Sequence, residues 1–71
     1  MEYQDARQII ALYANDCLEL FSDYWMRYPK GQNAQYIIDR LGEKQSFYEN
    51  IDQSISDKIN MVRCLLIKNM Q

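Results

Sequence analysis

Three carboxylates, Asp16, Glu19 and Asp23, recur at spacings of three and four residues, which stacks them on one side of a helix. Paired carboxylates can do general acid and base work when one is withdrawn from water and keeps its proton near neutral pH. Here the row falls on the polar side of an apolar seam, so it reads as a solvated surface instead. The chain contains no histidine. That removes the commonest general base and excludes any Ser–His or Cys–His nucleophile pair. Cys17 and Cys64 lie in apolar helical stretches, where cysteine behaves as a small hydrophobe. Without histidine or a Cys-x-x-Cys pair, the usual zinc spacings cannot be assembled. The only glycines, Gly31 and Gly42, sit in neither a P-loop nor a dinucleotide pattern. The expectation is a protein with no catalytic residues, no metal and no cofactor.

Binding is the chemistry that the remaining residues suit. Asp23-Tyr24-Trp25-Met26-Arg27-Tyr28-Pro29-Lys30 concentrates the types that dominate interface energetics. Tyr24, Trp25, Arg27, Tyr28 and Lys30 are therefore expected to touch a partner protein. The competing reading is that the aromatics plug the core at a helix end. Tyr24, Trp25 and Tyr28 cover too wide an arc of a helix for all three to face one core. Asp16, Glu19 and Asp23, with Glu2 and Asp5 beyond them, would extend the contact. Like charges at these spacings oppose helix formation, and a basic partner surface would relieve that. The bland alternative is a face that keeps a small protein in solution.

Helices must position these groups. Tyr3, Ala6, Ile10, Tyr13, Cys17, Leu20 and Tyr24 form a seam with alternating steps of three and four, predicting a helix over about 3–28. A second row, Ala14, Leu18, Phe21, Trp25 and Tyr28, widens its apolar face. Pro29 and the turn composition of Lys30-Gly31-Gln32-Asn33 should stop it near Tyr28. A short corner helix is expected over about 34–41, with Asn33 as N-cap and Gly42 as the left-handed residue past its end. Ser46 with Glu49 matches a capping box and predicts a third helix over about 47–69. Its seam runs Tyr48, Ile51, Ile55, Ile59, Val62 and Leu66, joined late by Met61, Leu65 and Met70. A weaker capping match at Ser54-Ile55-Ser56-Asp57 marks a place where this helix could break. No stretch shows the period-two alternation of a strand.

The totals bound the rest. Seventy-one residues, 48% apolar and 25% charged, make one helical domain over 1–71, near the size limit for a self-sufficient core. Two long helices and a corner leave apolar seams half covered, so the expected architecture is an all-α bundle completed by homodimerisation. No apolar run approaches the roughly 20 residues that cross a bilayer, and no basic region precedes an apolar run at the N-terminus. The expected location is cytoplasmic, without membrane contact. The net charge of -2 is uneven, with residues 1–23 carrying -4 and residues 24–48 carrying +2. Small helical proteins of phages and mobile elements share this character, by analogy alone. The expected function is a protein-binding regulator: a stoichiometric inhibitor, adaptor or chaperone-like subunit. The rival is a helix-turn-helix nucleic-acid binder over 34–53 with Gly42 in the turn. Glu43, Glu49 and Asp52 fit that pattern poorly, and the basic middle of Arg27, Lys30, Arg40 and Lys44 is small.

Overall fold

A straight helix over 3–28 would be about 39 Å long at 1.5 Å per residue. The molecule measures 34 Å along its longest axis. The computed structural model, which describes residues 1–27 and 34–69, shows how the difference is resolved. The predicted first helix is two helices, α1 (Tyr3–Tyr13) and α2 (Leu18–Arg27), separated by a single 3-10 turn at Asn15–Cys17. Ala14 leaves helical geometry at φ -145°, ψ 51°. The Asn15 side-chain amide then donates to the Ala11 carbonyl at 3.3 Å, a carbonyl that the residue-15 N–H takes in an unbroken helix. Asn and Asp side chains compete with the backbone for such bonds, so Asn15-Asp16 is where this helix is weakest.

The bend changes what the first helix can reach. Residues 3 and 21 would stand about 27 Å apart on a straight helix. Instead the Tyr3 and Phe21 rings stack with centroids 5.5 Å apart and planes 8° from parallel. Trp25 joins them, 5.1 Å from Tyr3 and 5.7 Å from Phe21. The turn also shifts the register of burial. Ala6, Ile10, Cys17 and Tyr24 stay inside as the seam requires, but Phe21 replaces Leu20, which is exposed.

The second and third elements differ from expectation more sharply. α3 runs Gln35–Glu49, far beyond the corner predicted over 34–41, and passes straight through Gly42. Gly42 is therefore no C-cap, and Ser46 with Glu49 lies in the last turn of α3 instead of opening a helix. The expected Asn33 cap lies outside the described residues, as does the stop at Tyr28. A tight turn at Asn50–Asp52 follows, in which Ile51 and Asp52 both donate to the Tyr48 carbonyl. α4 (Gln53–Asn69) starts beside the second capping match, but the cap is Asp52. Its Oδ1 accepts the Ser54 N–H at 3.0 Å, the bond an N-cap aspartate makes. Ile51, placed in the predicted seam, is 61% exposed because it belongs to the turn.

α3 and α4 form an antiparallel hairpin with one side chain as its pin. From α4, Arg63 donates through Nε to the Ile38 carbonyl at 3.1 Å and through Nη1 to Gln45 Oε1 at 2.8 Å. Its guanidinium lies across Gly42, where a Cβ would stand 3.2 Å from Nη2 and 3.3 Å from Cζ. Gly42 thus costs helix propensity, about 1 kcal/mol against alanine, and admits a charge-assisted pair of hydrogen bonds in return.

One core joins all four helices: Ala6 and Ile10 of α1, Phe21 and Tyr24 of α2, Ile37, Ile38 and Leu41 of α3, and Ile59, Val62 and Leu66 of α4. The protein is all-α, with no strand among the described residues. Folding back α2 covers part of the seams that two long helices would have left open, while Leu12 and Met61 stay exposed.

Candidate functional site

The predicted contact residues separate into three groups. Tyr24 is 4% exposed and belongs to the core, as a correction to its expected role at a surface. Trp25 is half-buried against the Tyr3 and Phe21 rings. Both follow from the bend, which turns this arc of α2 onto α1. The side chain of Arg27, and Tyr28 and Lys30 entirely, lie outside the described residues.

Asp16 is engaged within the molecule. Arg40 Nη2 donates to its Oδ2 at 2.7 Å, and Lys44 Nζ sits 3.2 Å from its Oδ1. The Arg40 guanidinium holds the Asp16 carboxyl below its ordinary value, against a smaller opposing effect of burial. This also draws Arg40 and Lys44, half of the predicted basic middle, into an internal pair. Cys17, next in sequence, is fully buried, and burial pushes its thiol up. That leaves Glu19 and Asp23 exposed on α2, in one row with Leu20 and Met26. Met26 is 83% exposed, the most open of the large apolar side chains among the described residues.

A helix-turn-helix over 34–53 is not what these residues form. α3 is continuous through the position meant for the turn, and the real turn at Asn50–Asp52 joins antiparallel helices. Among the described residues no cluster of His, Cys, Asp or Glu could hold a metal ion. No described helix is long and apolar enough to cross a membrane.

The sequence seams do not reveal a second surface. α1 and α4 run antiparallel, with Lys58 poised 6.0 Å over the Tyr13 ring at one end and Met1 beside Met61 and Leu65 at the other. Between them lies an open groove of about 500 Å³. Its α1 wall carries Met1, Asp5, Ile9 and Leu12, and its α4 wall carries Lys58 and Met61. Leu12 is 64% exposed and Met61 52%. Part of the signal is in the sequence: Ile9 and Leu12 are apolar residues off the first seam, and Met61 is a late addition to the third. Their meaning depends on α1 and α4 being neighbours, which no single helix reports.

Comparison with family models, with curated proteins and with solved structures finds no match to this chain.

Proposed function

We propose that this chain is a non-enzymatic, protein-binding regulator, a stoichiometric inhibitor, adaptor or chaperone-like subunit, whose partners are a target protein and a second copy of itself. The observation that carries the reading is the outer row of α2. Leu20 and Met26 stay exposed beside Glu19 and Asp23 although the core closes without them. Exposed apolar side chains flanked by carboxylates suit a target segment that is both basic and apolar, with methionine adapting to its shape. The absence of histidine from the sequence argues in the same direction, away from catalysis. Cys17 and Cys64 are both free thiols, which fits a reducing, cytoplasmic setting.

The test is affinity capture from the native host with wild-type protein and with Met26→Lys and Glu19→Lys variants of unchanged helicity. The expected result is a defined protein partner retained by the wild type and lost by both variants. Equal capture by all three would remove α2 as the contact. A low-salt shift of nucleic acid with no protein capture would replace the reading by its rival.

A further inference from the structure

The apolar seam of the first helix does not stop where the helix does. Tyr3, Ala6, Ile10, Tyr13, Cys17, Leu20 and Tyr24 keep their alternating steps of three and four straight through residue 14. The interruption is also short. Ala14 leaves helical geometry at φ -145°, ψ 51°, Asn15–Cys17 make one 3-10 turn, and Leu18 is helical again at φ -63°, ψ -45°. Returning Ala14 to helical angles and relaxing that one turn would join α1 and α2 into a single rod. We propose that this break is a hinge through which two copies of the chain exchange α1, each α1 leaving its own α2 and α4 and packing on those of the other copy. The inference rests on the reading that a second copy is a partner, and it names the element that the copies trade.

Exchange needs no new complementary surface, because it reuses one that the chain already has. The Tyr3 ring packs on Phe21 and Trp25, and Ala6 and Ile10 share the core with Ile59, Val62 and Leu66. All of these contacts are remade between chains. A two-fold axis passing between the hinges closes the arrangement: the two rods cross there as an X, and each side of the X holds α1 of one copy beside α2 and α4 of the other. What exchange gives up is confined to the hinge. The Asn15 side-chain bond to the Ala11 carbonyl is replaced by the backbone bond of a continuous helix. The Asp16 pair with Arg40 and Lys44, which holds the turn to α3, is partly exposed and so weak. Because Ala6 and Ile10 are buried, α1 leaves a folded chain slowly, and the choice between keeping and exchanging it is made during folding.

The test favours the rod in one variant and blocks it in another. Asn15→Ala removes the side chain that competes for the Ala11 carbonyl, whereas Asn15→Pro cannot continue a helix through residue 15 yet suits the first position of the turn. Chains unfolded in urea are refolded at high micromolar concentration, diluted, and followed by sedimentation velocity. Wild type should give a dimer that persists after dilution, Asn15→Ala should raise its share several-fold, and Asn15→Pro should stay monomeric. Disulfide trapping in a Cys64→Ser background, where the remaining Cys17 is buried, then identifies the contact without relying on the hinge variants. Tyr3→Cys chains refolded together with Trp25→Cys chains should link to one another. A dimer of two bent chains cannot do this, since each keeps that contact inside itself. A dimer that forms equally in Asn15→Pro and never gives the interchain link overturns the exchange and leaves a second copy bound at some other surface. A chain that stays monomeric throughout, Asn15→Ala included, overturns both the exchange and the second copy as a partner. Loss of Met26-dependent capture with exchange intact would instead remove only the target-binding reading.

Discussion

Asp16 shows how a residue chosen for its charge can be used up inside the molecule. The sequence places it in a row with Glu19 and Asp23, but it falls in the 3-10 turn that precedes their helix. What the row cannot show is Arg40, 24 positions away, donating to Asp16 at 2.7 Å. The pairing has a consequence in acid. Because the folded carboxyl titrates below its ordinary value of 3.8, the unfolded chain takes up the proton first as pH falls. The stability due to Asp16 is fully present above that ordinary value and is lost as pH drops through the folded one. Asp16→Asn should therefore flatten the acid limb of a stability-versus-pH curve as pH falls below the ordinary value of 3.8, measured by urea unfolding. At pH 7 the cost should be small, roughly 0.5 kcal/mol, since the pair is well exposed and screened by solvent. An unchanged acid limb would show that the contact carries no free energy.

Glycine at position 42 illustrates the same limit among the elements. A glycine after an apolar run is a sound helix stop, and it misleads here because its reason lies on another helix. The strong helix formers Glu43, Lys44 and Gln45 carry α3 onward, and Arg63 of α4 occupies the space a Cβ would fill. Two effects then oppose each other in Gly42→Ala. Alanine gains about 1 kcal/mol of helix propensity, and the guanidinium must shift by a few tenths of an ångström and strain its bonds to Ile38 and Gln45. A double-mutant cycle separates them: Gly42→Ala should stabilise an Arg63→Ala chain more than it stabilises the wild type, with a coupling of about 1 kcal/mol. Additive effects would mean that Arg63 does not require the glycine. What was legible at this scale was anything set by local periodicity. The helical class, the buried pairs Ala6–Ile10 and Ile59–Val62, and a boundary near Ser54 all follow from three- and four-residue spacing. The break at Ala14 was not legible, because the seam runs on through it and only the return contact of Tyr3 with Phe21 and Trp25 reveals the bend.

For the whole molecule, that same return contact decides how much stability there is to lose. A core of this size rarely supplies more than about 3 to 5 kcal/mol, and truncating a buried phenylalanine costs about as much. Phe21 is fully buried and touches both Tyr3 and Trp25, so Phe21→Ala removes the contact that folds α2 back on α1. It should abolish the cooperative melt, whereas Phe21→Leu should fold with a lowered Tm. Trp25, the one tryptophan, reports this directly, and its emission should change in step with far-UV circular dichroism in a two-state chain. Pairing enters the same balance by mass action. A second copy that binds only the folded chain raises the melting temperature as concentration passes the dimer Kd. The gain should be clearest in Phe21→Leu, where little other stability remains. A Tm that stays constant from low to high micromolar concentration would remove the second copy as a partner and leave the chain to be stabilised by its own core.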